Sequence, residues 1–192
     1  GSGLKAAMLA AQAIRAGDGE LFVAGGMESM SRAPYLVDGR TGGLRYGHAQ
    51  LTDSLVQDGL WDPFENWGMG EAAEFIADEY EVTRQAMDEF AFASHQKALA
   101  ASDSGQFKAE IVPVEVPGKK GETAFEVDET PRRDTSIEQL SKLQTVYKDG
   151  ICTAGNSSSE NDGAAALVLM APEKAKEIGA KPLVRIVSFG IA

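Results

Sequence analysis

Residues 3–16, GLKAAMLAAQAIRA, constrain the fold more than any other stretch. Between Ala6 and Ile14 only Gln12 is polar. A helix with so little polar surface is expected to be buried on nearly every side. Ala6, Ala7, Ala10, Ala11 and Ala13 would let neighbouring layers approach closely, which a surface helix does not need. Ser2 stands at the N-cap position and Gly17 at the stop. The run 20–24, ELFVA, reads as a short buried strand closed by Gly25-Gly26. Helix, tight link and apolar strand predict an α/β layered core.

From Ser31 to about Pro63 the periodicity disappears, and Pro34, Gly39, Gly42, Gly43 and Gly47 mark irregular chain. So long a stretch between regular elements is functional or part of an inserted subdomain. Two helices are then predicted. Glu71–Tyr80 is amphipathic; a longer one, capped by Thr83, runs to about Ser102 with Met87, Phe90, Ala91, Ser94 and Ala98 on one face. Alternation over 110–116 and 122–127 predicts a hairpin turning at Gly118-Lys119-Lys120-Gly121, and a short helix follows near Ser136–Leu143. The α/β pattern then resumes with an apolar strand over 164–170, a helix over 172–179 opened by Pro172, and a strand over 183–189. Gly1 opens a buried helix and Ala192 follows an apolar strand, so the chain is expected to be a piece of a larger protein. Such a piece would leave apolar faces exposed and be marginally stable.

Composition narrows the function. A net charge of −11 argues against sequence-independent nucleic-acid binding, which needs a basic surface. A single cysteine, Cys152, excludes an internal disulfide framework and any CxxC site, and reads as a small interior residue. His48 and His95 lack metal-ligand spacing, and His95, beside Phe92 and Leu99, reads as packing. The carboxylates show no paired acid/base arrangement. No run reaches about 18 apolar residues, so no membrane span is expected, and the cytoplasm is the expected location.

Two stretches carry chemistry. Gly1-Ser2-Gly3 reads either as a linker ahead of an ordinary helix or as a bare helix start where other groups can approach the free N–H donors. A cysteine one residue earlier would sit at the positive end of the helix dipole, which favours its thiolate. Residues 153–163, TAGNSSSENDG, form a loop of small and hydroxylated residues that runs into the apolar strand. It either offers donors to a ligand without bulk or satisfies its own backbone.

The segments GSGLKAAMLAAQAIRAGD (1–18), VAGGMESMSRAPY (23–35), MGEAAE (69–74), FKAEIVPVEV (107–116) and TAGNSSSENDGAAALVLM (153–170) together resemble the thiolases, the acetyl-CoA C-acyltransferases. They lie in family order and spacing over essentially the whole chain. The resemblance implies an α/β fold: a thiolase-like layered core of which one half is partly present, in residues 1–30 and 161–192, with a mostly helical loop domain inserted as residues 31–160. In the family the nucleophilic cysteine directly precedes the position of Gly1. The catalytic His, Asn and second Cys belong to GHP, NEAF and CxG motifs that this sequence does not contain and that would lie beyond Ala192. The resemblance therefore assigns no catalytic residue to the chain, and the isolated chain is expected to be inert.

It does assign a grip on coenzyme A. By family position Ser158 would hydrogen-bond the pantetheine arm, and Ala154 and Met69 would line its tunnel. Arg132, in PRRD (131–134), would face the nucleotide end with Tyr147 beside it. No metal and no permanently bound cofactor is implied; acyl-CoA is the substrate. The intact parent would be a homodimer or homotetramer, and the loop near 36–55 resembles the tetramer-forming segment. Gly68 stands where many short-chain members carry His, which implies a different or wider acyl pocket. The implied reaction is ping-pong acyl transfer, either Claisen condensation of two acetyl-CoA or thiolysis of a 3-ketoacyl-CoA. A thiolase-like protein that binds acyl-CoA or lipid without catalysis is the alternative. A β-ketoacyl synthase relative fits less well, because those enzymes lack the large insertion.

Overall fold

A computed structural model describes residues 1–37, 39, 44, 46–118 and 121–191. Lys119 and Lys120 of the expected hairpin turn, Gly42 and Gly43 of the irregular stretch, and Ala192 fall outside the described residues. In chain order the elements are α1 (Ser2–Ala16), β1 (Leu21–Ser29), β2 (Tyr35–Leu36), β3 (Thr52–Asp53), β4 (Trp61–Asp62), β5 (Trp67–Gly68), α2 (Met69–Glu79), α3 (Arg84–Asp103), β6 (Val114–Gly118), β7 (Gly121–Phe125), α4 (Ile137–Ser141), β8 (Asp162–Met170) and α5 (Pro172–Glu177). They divide into two compact units, residues 1–55 with 160–192, and residues 56–159.

In the first unit β1 and β8 pair antiparallel over nine positions, from Leu21 opposite Met170 to Ser29 opposite Asp162. The strand does not close at Gly25-Gly26 as expected but runs through both glycines. A Cβ at Gly25 would collide with the Ala165 carbonyl oxygen and lie 3.0 Å from the Ala166 Cα, so only glycine admits β8 at this spacing. At Gly26 the obstacle is α1: an added Cβ would stand 3.1 Å from the Gly3 Cα. The start of α1 thus crosses β1 backbone to backbone.

Ala10 and Ala11 of α1 pack on Ala24 and Leu169, with Ala6, Ile14, Phe22 and Phe189 around them. The helix ends as expected: Gly17 takes φ 83°, and its N–H and that of Asp18 donate to the Ile14 and Ala13 carbonyls. Two expectations fail. Ser2 is the first helical residue rather than the cap, which is Gly1. The helix is also buried on one face, with Leu4 70% and Leu9 53% exposed; its packing partners there are the β1–β8 pair and Phe189.

Residues 183–189 form no strand; they carry no ladder among the described residues. They are tied to α1 instead, where the Arg15 guanidinium donates to the Val187 carbonyl at 3.4 Å and lies 5.4 Å from the Phe189 ring centre. At the far end of the pair, the Ser31 amide and hydroxyl both donate to Asp162, at 2.9 and 2.6 Å.

The second unit holds three helices, two short ribbons and a loop over 145–156. Thr83 caps α3 through its hydroxyl and Ser136 caps α4 likewise, both as the sequence indicates. Arg84 joins these helices by donating to the Leu140 and Leu143 carbonyls at 2.7 and 3.1 Å. The inward stripe of α3 differs from the expected one. Phe90 is 78% exposed, while Asp88 at 2% is the most buried residue of the helix. A polar residue sits where an apolar stripe was sought. The hairpin starts at Val114 rather than 110, after Pro113, which has no N–H for a ladder. No helix among the described residues is long and apolar enough to cross a membrane.

Candidate functional site

Four of the five residues assigned to coenzyme binding sit on α2 or on the 145–158 segment, all within the second unit. Gly68 is the N-cap of α2, and the Glu71 carboxylate accepts its N–H at 2.8 Å, so the helix begins cleanly at Met69. Met69 is 43% exposed at that first position. The next residue, Gly70, meets the ring of Tyr147: an added Cβ would lie 2.7 Å from Cε2 and 3.0 Å from Cζ. Met69 and Tyr147, 78 positions apart in sequence, are therefore neighbours.

Tyr147 opens a tight loop. Thr145 and Thr153 form an antiparallel bridge, and the Val146 N–H donates to the Cys152 carbonyl at 2.9 Å. Between them the Gly150 N–H donates to the Tyr147 carbonyl at 3.1 Å, and Asp149 takes φ 61° to close the turn. Glu74 holds this loop from α2. Its Oε1 accepts the Ile151 and Cys152 amides at 3.0 and 2.8 Å, and Oε2 accepts Ile151 again at 2.9 Å. Burial pushes the Glu74 carboxyl up, but the Ile151 and Cys152 amides together with the Cys152 thiol outweigh it and hold the group below its usual 4.5. An open cavity of about 660 Å³ adjoins, lined by Glu71, Glu74, Tyr147, Lys148 and Ile151 among others.

The next turn is fastened from α3. Asn156 accepts the Thr153 N–H at 2.7 Å and donates to the Ile151 carbonyl at 3.1 Å and to Asp88 at 3.0 Å. Asp88 also takes the Arg84 Nε at 2.8 Å. Thr153 is fully buried, and its hydroxyl accepts the Gly155 N–H at 3.2 Å. On this base Ala154 and Ser158 are presented exposed. Of the two things its sequence allowed, the loop shows the second, with Thr153 and Asn156 satisfying backbone, while Ala154 and Ser158 are exposed.

Arg132 is positioned by other partners. Its amide donates to His95 Nδ1 of α3 at 3.2 Å, and its guanidinium pairs with Asp134 at 3.5 Å. His95 is half-buried and acts as a hydrogen-bond acceptor. Arg133, its neighbour, is committed to Asp103 by two bonds of 2.9 and 2.6 Å. Cys152 is buried, as expected. Burial first, then the neighbouring Glu74 carboxylate, push its thiol up to about 11. His48 is exposed. No group of three metal-ligating side chains occurs among the described residues.

The residues that sequence reasoning missed are Glu74, Asp88 and Asn156. Glu74 and Asn156 lie inside the quoted MGEAAE and TAGNSSSENDG segments, but nothing local shows that their partners lie 77 and 68 residues away.

The thiolase N-terminal domain profile matches residues 1–173. An acetyl-CoA acetyltransferase of Pseudomonas aeruginosa is 54% identical over the whole chain, which covers 49% of that protein. Among solved structures, human mitochondrial 3-ketoacyl-CoA thiolase matches with a TM-score of 0.87 and 38% identity, over 95% of this chain and 47% of that one. Acetyl-CoA acetyltransferase from Syntrophomonas wolfei matches with a TM-score of 0.88 and 41% identity, over 95% of this chain and 46% of that one. The chain spans about half the length of the curated relatives it matches. With a matching profile over nearly its entire length and the thiolase fold in its α/β elements, the chain belongs to the thiolase family.

Proposed function

We propose that this chain is the coenzyme-A-holding part of a thiolase-type acyltransferase, acting on acyl-CoA either by condensing two acetyl-CoA or by thiolysis of a 3-ketoacyl-CoA. What supports this reading, beside the family membership, is the packing of Tyr147 on Gly70 next to Met69 and the exposure of Ala154 and Ser158 on the loop that Glu74 and Asn156 fasten. Small and hydroxylated residues there leave room for a slender pantetheine arm and offer it donors. Arg132 supplies a cation for the nucleotide end of a polyanionic ligand on a chain of net charge −11. Residues 31–160 would be the mostly helical loop domain, and 1–30 with 161–192 the partial core.

In the longer protein a cysteine before Gly1 would stand at the N-terminus of α1, where the surroundings of Gly1 are open: a Cβ added there would meet nothing within 4 Å. Its thiolate would attack the acyl-CoA carbonyl and release CoA thiolate, leaving an acyl-enzyme thioester. A second cysteine would take the α-proton of acetyl-CoA. The carbanion would attack the thioester carbonyl and return the first thiolate; thiolysis is the reverse. Hydrogen-bond donors around the thioester oxygens would stabilise the developing charge. The enzyme is expected to be a soluble homo-oligomer of the cytoplasm.

Thiolysis of acetoacetyl-CoA by the longer protein, abolished when the cysteine before Gly1 is replaced by Ala, is the expected result. Tight acyl-CoA binding with no turnover would transfer the reading to a non-catalytic carrier.

A further inference from the structure

We propose that Glu74 is a positioning residue for coenzyme binding: through the amides of Ile151 and Cys152 it sets the 147–158 segment against the start of α2. The proposal rests on the coenzyme reading above and adds to it a residue that touches no ligand.

The geometry is specific. α2 carries Met69 and Gly70 in its first turn and Glu74 in its second, so the helix that presents one wall of the site also holds the opposite wall in register. Glu74 reaches two successive amides with three contacts of 2.8–3.0 Å. The loop backbone comes close enough that a Cβ at Gly150 would lie 2.8 Å from the Glu74 carboxyl carbon. These amides lie between Tyr147, four residues before Ile151, and Ala154, two residues after Cys152. Shifting them moves both. A carboxylate beside the site for a polyanion opposes binding unless its charge is engaged, and here two N–H donors engage it. The second fastening, from Asp88 through Asn156, fixes the far end of the same turn but reaches neither Tyr147 nor α2. Among the described residues the hydrogen bonds between this loop and the helix that carries Met69 are those of Glu74, beside the packing of Tyr147 on Gly70.

The test compares CoA affinity of the full chain with that of Glu74→Gln and Glu74→Leu, alongside amide hydrogen exchange. Glu74→Gln keeps the shape and one acceptor oxygen; Glu74→Leu keeps neither charge nor acceptor. The expected result is weakening of about fivefold for Gln and more than tenfold for Leu, with faster exchange confined to residues 145–158. If Glu74→Leu does not fold, Glu74→Gln decides the matter. Unchanged affinity in Glu74→Gln overturns the proposal, as does an exchange increase spread evenly over α2 and α3, which marks general destabilisation. Failure of the unaltered chain to bind CoA overturns the coenzyme reading and this proposal with it; that case is distinguished because the parent chain itself is silent.

Discussion

The Tyr147 ring lies on Gly70 so closely that no side chain fits between them: a Cβ there would be 2.7 Å from one ring carbon and 3.0 Å from another. Gly70→Ala must therefore push the ring and its loop away from α2. Overpacking of this kind costs about 1–3 kcal/mol. Tyr147→Ala should restore the stability lost in Gly70→Ala, because it removes the obstacle. A double-mutant cycle by denaturant melting measures this coupling, and additive effects would refute the contact.

Two positions earlier the outcome is opposite. A Cβ at Gly68 would find only ordinary contacts, 3.5 Å to Glu71 and 3.8 Å to Tyr147, and its φ of −78° suits any residue. Gly68→Ala is expected to change stability by no more than about 0.5 kcal/mol. The same melts check it. Gly68→His, which restores the residue of many short-chain thiolases, should also fold, and its acyl-chain preference in the longer protein should narrow.

Asp88 is 2% exposed and pairs with Arg84 while accepting from Asn156. Asp88→Ala takes the charged acceptor from the half-buried Arg84 guanidinium, which keeps the Leu140 and Leu143 carbonyls, and from the Asn156 amide, which keeps that of Ile151. Breaking such a pair costs about 3–5 kcal/mol. Asp88→Asn keeps the shape and one acceptor but loses the charge and sets an NH2 against the other donor, so it should retain more stability than Asp88→Ala and less than the parent. Thermal melts that rank Asn between the parent and Ala carry the prediction.

Asp162 is held below its usual 3.8 by the Ser31 hydroxyl and amide. A carboxyl with a lowered folded value stabilises the fold above its unfolded value and loses that contribution as pH falls through the folded one. Ser31→Ala removes the hydroxyl donor, so the Asp162 titration should move up toward 3.8. Carboxyl carbon NMR over pH 2–6 reads it (roughly the range spanning a lowered carboxylate). An unmoved midpoint would mean the contact is not made.

Cys152 tests the loop from the other side. Its thiol, pushed up to about 11 by burial and by Glu74, stays protonated and should resist alkylation at pH 8 until the chain unfolds. A group with a raised folded value leaves stability intact below the unfolded value of 9.0 and removes it as pH rises toward about 11. Glu74→Gln should lower the thiol value while burial keeps it above 9.0. Alkylation rate against pH checks both statements.

Local chemistry made parts of the fold legible in advance. Thr83, Ser136 and Gly17 mark helix ends because a cap is decided within four residues. In the sequence Gly25-Gly26 resembles the stop of a strand; β8, 140 residues away, supplies the alanines opposite both glycines with which β1 continues. Residues 183–189 have the pattern of a strand but meet the side of α1 instead of a ladder. At the proposed site, family position assigns Met69, Tyr147, Ala154 and Ser158, whereas in the sequence Glu74 and Asp88 are two carboxylates among 29 acidic residues. Their meaning lies in partners 77 and 68 positions away, which no local pattern encodes.

Amide chemical-shift mapping with CoA would show whether this chain holds the coenzyme where proposed. Perturbations should cluster at Met69, Gly70, Tyr147, Ala154 and Ser158, with Arg132 responding to CoA but not to pantetheine. Shifts confined to the first unit, or no shifts at all, would overturn the coenzyme-holding role.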